Sequence, residues 1–352
     1  MTKHYTIPFF IPHKGCPHQC IFCNQNSITG EKTMSPRDVS VRVEEYLKSI
    51  PAGNREIEIG FFGGTFTGLD KSAQQSFLLS VRKYIVPGKV SGVRISTRPD
   101  YINKNILNFL KENNVKCIEL GVQSMSDDVL KASKRGHTPD DVKRASEMIV
   151  KAGFILGHQM MLGLPLSTLE DEVYTAKMVK VLGATQVRIY PVVVMKDTLL
   201  AEKWKKKEYS PLTEKEAVDR AAQIVLYFNA NDIKVIRCGL HPSEDLLSGK
   251  GILSGPFHTA FGLKVESRIF LSMLRYINNN CMLVVKDDLK ICYNPKDEAA
   301  FFGFKRENQP TINIICVKDN LRKGEDVPRG TVRLGFGKRT LLVDRKTVVE
   351  NL

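Results

Sequence analysis

From residue 5 to residue 238 the sequence alternates short β-like apolar runs with longer segments whose apolar residues recur at helical spacing. Strands are predicted at 5–12, 56–62, 92–97, 115–122, 154–161, 185–190 and 233–238. Helices are predicted from Pro36 through Val39, Val43 and Leu47, and over 69–85, 103–113, 138–152, 167–182 and 213–230. Ser35-Pro36 and Thr138-Pro139 each place a capping side chain just before a proline at the first helical position. Strands separated by single helices imply βαβ units and a parallel sheet. Six or seven such units over ~240 residues stop short of a closed eightfold barrel. The prediction is an α/β fold: an incomplete parallel (βα)6-type barrel over residues 1–240, then a small basic α+β lobe over 241–352.

Parallel sheets carry their ligands at the carboxyl ends of their strands, and the first such end is Gly15-Cys16-Pro17-His18-Gln19-Cys20-Ile21-Phe22-Cys23. Cys16, Cys20 and Cys23, spaced C-x3-C-x2-C, form a thiolate set suited to one face of a cuboidal iron–sulfur cluster. The fourth iron is then without a protein ligand, the kind of open position that separates a catalytic site from a closed structural one. A zinc knuckle or a disulfide would be the bland use of these cysteines. No fourth zinc partner stands nearby, and the composition is not that of a secreted chain.

Eight cysteines in 352 residues are too sparse for a disulfide scaffold. Cys117, Cys281, Cys292 and Cys316 lie in apolar or alternating runs and read as buried thiols. Cys238 ends the last predicted barrel strand, where it would face the open mouth. No apolar run has the length of a membrane span and no signal-peptide core opens the chain, so a cytoplasmic protein with no membrane contact is expected. The net charge of +14 favours a polyanionic partner, although a solvated basic surface is its ordinary explanation.

The cysteine motif, with Phe22 just before its last cysteine, resembles the signature of radical S-adenosylmethionine (SAM) enzymes. The resemblance implies a [4Fe-4S] cluster whose open iron binds SAM, reductive cleavage to a 5′-deoxyadenosyl radical, and an electron donor such as flavodoxin or ferredoxin. It gives roles to other strand ends as well. Gly63, Gly64 and Thr65 would offer backbone groups to the SAM amino group, and Arg98 and its neighbours would meet the ribose. Gln123 is a buried amide that needs partners, and Arg135 would fork onto the SAM carboxylate. The strand through Met160 and Leu162 would cover the adenine. The bland readings are a tight turn for Gly63-Gly64, a capped turn at Arg98 and a surface basic turn at Arg135. For His158, a satisfied core histidine competes with a substrate contact.

Residues 56–205 are further similar, in the same order, to the radical SAM domain of the Elongator catalytic subunit. The matching pieces are Gly63-Gly64-Thr65-Phe66, Thr97-Arg98-Pro99-Asp100, Glu119 through Ser124, Lys134 through Thr138, Gly163-Leu164-Pro165 and Ile189-Tyr190-Pro191. This resemblance implies an RNA partner, tRNA above all. The chain departs from that subunit in its compact cysteine spacing, in Ser96 where a glutamate precedes the Thr-Arg-Pro-Asp turn, and in lacking an acetyltransferase domain after the barrel. Carboxymethylation of a wobble uridine therefore does not carry over. A radical SAM enzyme acting on a small anion, resembling oxygen-independent coproporphyrinogen oxidase, is the alternative in the same chemistry. A non-catalytic, cluster-bearing RNA-binding protein is the alternative outside it.

In the C-terminal region a helix is predicted from Pro256 to Ile277, another near 295–306, and strands at 281–286, 289–293 and 311–317. Gly303-Phe304-Lys305-Arg306 resembles the backbone-clamping loop of KH modules without its second glycine; an ordinary basic turn is the alternative.

Overall fold

The computed structural model describes residues 3–11, 15–16, 20–24, 34–240, 244–249, 251–280 and 288–349. The chain forms two units, Met1–Pro211 with Leu240–Gly255, and Leu212–Gly239 with Pro256–Leu352.

Six strands make the frame of the first unit: β1 (Lys3–Phe10), β2 (Arg55–Phe62), β3 (Gly92–Thr97), β4 (Val115–Gln123), β5 (Ile155–Leu162) and β6 (Gln186–Pro191). Each runs parallel to the next in chain order, as an incomplete barrel requires. The crossovers carry α1 (Pro36–Ser49), α2 (Lys71–Arg82), α3 (Lys104–Glu112), α4 (Asp127–Ala132), α5 (Pro139–Lys151) and α6 (Leu169–Val181). Reciprocal capping boxes start α1 at Ser35, α5 at Thr138 and α6 at Thr168, each cap contributing about 1 kcal/mol. β7 (Val194–Met195), α7 (Leu199–Lys205), α9 (Glu244–Leu247) and β9 (Ile252–Ser254) complete the unit, β7 pairing antiparallel with β9.

The strands are buried on both faces, so their sequences are apolar almost throughout. The faces nevertheless differ. Ile57, Ile59, Phe61, Val93, Ile95, Ile118 and Leu120 form a dry core against the helices, with Phe61 meeting Phe77 of α2 at a centroid distance of 5.6 Å. Glu58, Arg94, Glu119, Gln159 and Arg188 point from the opposite face.

The second unit contains α8 (Glu214–Ala230), β8 (Lys234–Cys238), α10 (Phe261–Asn280), β10 (Lys290–Tyr293), α11 (Glu298–Phe302), α12 (Gln309–Ile315), β11 (Leu321–Lys323), β12 (Val332–Phe336), β13 (Arg339–Val343) and α13 (Arg345–Val349). Its sheet runs β11-β10-β12-β13, with β10 and β11 parallel and the other pairs antiparallel. The strand predicted at 311–317 is instead helix α12. Its β-branched residues favour a strand locally, but Ile312 and Ile315 lie one turn apart and are both buried, so tertiary burial overrides the propensity. The strand predicted at 281–286, with Cys281, lies outside the described residues. Among those described, no helix is long and apolar enough to cross a membrane.

Candidate active site

The carboxyl ends of β1 to β5 bring the cysteine loop together with the turns that follow the other strands. Ile21 anchors the loop. It is 1% exposed in an apolar cluster with Val129, Leu164, Val192, Leu200 and Tyr209, against which Phe22 and Met161 also pack. Burial of one such side chain contributes about 1.5–3 kcal/mol. Its backbone is fixed twice, Ile21 N donating to Ser133 O at 3.3 Å and Leu200 N donating to Ile21 O at 2.8 Å.

On the other side of the loop, Gly15 has φ +71°, and a Cβ there would stand 2.2 Å from Thr65 O. A Cβ on Gly68 would stand 2.2 Å from Gly15 O. The two backbones touch directly, which only glycine permits at both positions. Cys16 Sγ lies 3.2 Å from the buried Thr65 hydroxyl. Gly63, at φ +87°, and Gly64 turn the chain just before Thr65.

Arg135 links the loop to β4. It is 6% exposed, and it donates from Nη1 to Cys20 Sγ at 3.1 Å and from Nη2 to Gly121 O at 2.7 Å. Gly121 makes the space: a Cβ there would lie 3.1 Å from Gln123 Nε2 and 3.2 Å from Arg135 Nη2, so these two side chains are neighbours. Gln123 holds a left-handed backbone at φ +67°, a conformation that is costly for this residue type. Gln123 Oε1, Arg135 Nε and His137 Nδ1 are buried with no hydrogen-bond partner among the described residues. Each such orphan costs about 1–3 kcal/mol, so their concentration at the end of β4 marks a place built for a polar ligand.

The remaining predicted residues are placed differently. Arg98 is buried in a two-bond fork with Asp100, both contacts at 2.9 Å. Met160 and Leu162 are fully buried, and alternation along β5 puts their side chains on the face opposite Gln159. Cys16, Cys20 and Cys23 form no disulfide. Among the described residues no group of three or more His, Cys, Asp or Glu side chains is placed to hold a metal ion, these three included. Cys238 belongs to the second unit, where it lines a cavity of about 430 Å³ with Asn229, Glu266 and Arg345. Burial, then the Glu266 carboxylate, pushes its thiol up to about 12.

Behind the strand ends lies a buried ionic network that sequence reasoning missed. Arg94 donates to Glu58 Oε2 from Nε at 3.0 Å and Nη2 at 2.8 Å, and to Glu119 Oε1 from Nη1 at 3.0 Å. Arg188 reaches Glu119 from the other side at 2.6 and 3.0 Å, and His4 meets Glu58 at 3.1 Å. Gln159 Nε2 joins Glu119 to Ser96 at 2.9 and 3.0 Å. Burial alone would raise the Glu119 carboxyl; Arg188 and Arg94 overcome it and hold the group below its ordinary value. The signal was present in the sequence as single charges inside apolar strands, where an unpaired charge is not tolerated.

Two histidines near these strands are kept neutral. His137 bonds Val122 O at 3.2 Å, and burial, followed by the charges of Arg135 and Arg98, holds its imidazole down to about 3. His158 bonds Ser146 of α5 at 2.9 Å on the helix-covered face, where burial likewise holds it to about 3. It is a core histidine. Between ~6.5, the unfolded value, and about 3, the unfolded chain binds a proton that the folded chain refuses. Stability therefore falls as pH falls through this window. Urea unfolding should show a loss on the order of 2 kcal/mol per histidine from pH 7 to pH 5. Equal stability at the two values would mean that both imidazoles are charged in the fold.

The family model described as the radical SAM superfamily matches residues 10–179, and that of the radical SAM C-terminal domain matches residues 184–270. A tRNA uridine(34) acetyltransferase of Methanocaldococcus jannaschii is 28% identical over 247 residues, 58% of this chain and 45% of that protein. Elongator complex protein 3 of Saccharomyces cerevisiae is 26% identical over 259 residues, 61% of this chain and 46% of that protein. Among solved structures, Methanocaldococcus infernus Elp3 with an N-terminal deletion shares the fold at a TM-score of 0.61 and 20% identity, covering 80% of this chain and 64% of that one. The chain spans about half the length of the curated relatives it matches.

Proposed function

The chain belongs to the radical SAM superfamily, and we propose that it is a radical SAM enzyme that modifies a nucleoside of RNA, with tRNA as the substrate. The observation that carries the chemistry is Arg135, which bonds a cysteine of the loop and the end of β4 beside the unpartnered Gln123 carbonyl. The RNA part draws on the names of the relatives, which act on a tRNA uridine, and on the net charge of +14.

The residues present fit the implied cofactors. Three cysteines of one loop, none in a disulfide, are an iron–sulfur donor set by chemistry and spacing, although this structure does not gather their sulfurs round one point, and the orphaned atoms at the end of β4 call for a ligand with both donors and acceptors. Bound there, a [4Fe-4S] cluster and SAM would supply a carbon radical able to take hydrogen from an unactivated C–H bond, with flavodoxin or ferredoxin as the electron source.

Cys16, Cys20 and Cys23 would hold three of the irons. Gln123 Oε1 would accept a hydrogen bond from the ligand, and Arg135 Nε would donate one toward a carboxylate. Gly63, Gly64 and Thr65 offer backbone groups beside Cys16. Arg98, tied to Asp100, holds the turn after β3 so that its backbone can face the ribose. Met160 and Leu162 contribute through the backbone of β5, while Ile21, Leu164 and Val192 keep water from the loop.

Anaerobically reconstituted protein given SAM and dithionite should release 5′-deoxyadenosine, and mass spectrometry of RNA nucleosides from cells lacking the gene should show one modification missing. Iron-loaded protein that makes no 5′-deoxyadenosine refutes the enzyme; an unchanged nucleoside profile refutes the RNA substrate.

A further inference from the structure

The second unit contains a β-α-α-β segment that the proposed chemistry does not use. β10, α11, α12 and β11 follow one another, and the two strands lie side by side in parallel, Ile291 opposite Leu321 and Tyr293 opposite Lys323. The helices are joined by Gly303-Phe304-Lys305-Arg306-Glu307-Asn308.

Three residues of this turn hold left-handed backbone: Gly303 at φ +80°, Lys305 at +55° and Arg306 at +61°. Gly303 admits no other residue, since a Cβ would stand 2.7 Å from the Glu307 side chain and 2.9 Å from that of Asn308. Lys305 and Arg306 have no such steric reason to be left-handed. Just after them Asn308, fully buried, ties the chain down, its Nδ2 donating to Ser267 O at 2.9 Å and Phe301 O at 3.1 Å. Phe304 N donates to Ser267 Oγ at 3.2 Å, which fastens the turn to α10. A non-glycine pair in this conformation is costly backbone, of the kind that clusters at ligand clamps.

The exposed side of the turn is cationic and aromatic. Lys305 and Arg306 are exposed, and neither meets a carboxylate among the described residues; Arg306 donates only to Gln309 Oε1, at 3.2 Å. Lys264 lies over the Phe304 ring at 4.2 Å, and Arg306 lies over the Phe302 ring at 4.9 Å. Cations with no carboxylate partner, on a turn between two helices, suit a chain of phosphates. The same layout of helix, glycine-initiated turn and helix clamps the backbone of about four nucleotides in KH modules. The second glycine of that loop is absent here, yet Arg306 takes the backbone conformation that a glycine would supply.

We propose that β10-α11-α12-β11 is a clamp for single-stranded RNA, with Lys305 and Arg306 holding successive phosphates. It deepens the reading of the chain as an RNA-modifying enzyme by naming how RNA is held away from the reacting nucleotide.

The test is fluorescence anisotropy of the full chain with a labelled 12-nucleotide pyrimidine RNA over a range of KCl concentrations. Lys305→Asp with Arg306→Asp suits the turn, because aspartate tolerates left-handed backbone better than lysine or arginine does. Affinity should fall by about tenfold or more and the salt slope by about two, with thermal unfolding unchanged. Arg306→Gly is the second variant. It relieves the backbone and removes one cation, so it should leave stability equal or higher while lowering the slope by about one. Folded variants that bind RNA with wild-type affinity and slope overturn the clamp. If they do so while cellular RNA still carries the modification that depends on the gene, the clamp fails and the enzymatic reading stands.

Discussion

Arg94→Met should destabilise the protein by about 3–5 kcal/mol, the cost of leaving buried charge without its partner. Arg94 is 2% exposed and bonds both Glu58 of β2 and Glu119 of β4, so without it two buried carboxylates share, among the described residues, only Arg188, on Glu119, and His4, on Glu58. Methionine has similar bulk, so the loss comes from charge and not from a cavity. Against a whole-protein stability of about 5–15 kcal/mol, the effect is large. Adding Glu58→Gln should restore part of it, since removing both members of a buried pair costs less than removing one. The pH dependence has a definite sign. Glu58 and Glu119 are held below their ordinary values, so their contribution is fully present above ~4.3 and is lost as pH falls through their depressed values. In the variant both carboxyls titrate higher, and the stability gap should narrow on acidification toward pH 4. Urea midpoints give both quantities. A loss under about 1 kcal/mol, the scale of an exposed ion pair, with a gap that ignores pH, would mean that the network does not tie the strands together.

What could be read in the sequence and what could not divide along physical lines. Strand and helix positions were legible because each depends on local periodicity and local caps: Ser35 and Thr138 form the reciprocal boxes that their neighbouring prolines suggest. The cysteine loop was legible because its spacing is local. The partners that complete it are not local, Arg135 bonding Cys20 across 115 positions and Arg188 bonding Glu119 across 69. Facing was lost wherever a strand is apolar on both sides. Leu156 to Leu162 gives no alternation to read, and the structure sends Met160 to the helix-covered face and leaves Met161 beside the cysteine loop's anchor. At 311–317 the local signal pointed the wrong way, because the burial of Ile312 and Ile315 is decided by the rest of the lobe.

Cys20→Ala should abolish iron retention and 5′-deoxyadenosine formation together. A cuboidal cluster held by three thiolates has no spare protein ligand, so losing one sulfur of three leaves the irons open to exchange, and retained iron should drop from about four per chain toward background. Cys20 is the most informative of the three because its sulfur also receives Arg135 Nη1 at 3.1 Å; the substitution removes a ligand and frees a buried guanidinium at once. Cys238→Ala is the matched control. That thiol lines a cavity of the second unit and is pushed up to about 12 by burial, so at neutral pH it is protonated and binds iron poorly. The two variants should therefore separate cleanly: iron and product lost in the first, both kept in the second. Iron and 5′-deoxyadenosine that survive Cys20→Ala, or that vanish equally in Cys238→Ala, would place the cluster somewhere other than the loop after β1 and undo the assignment of the strand ends as the SAM site.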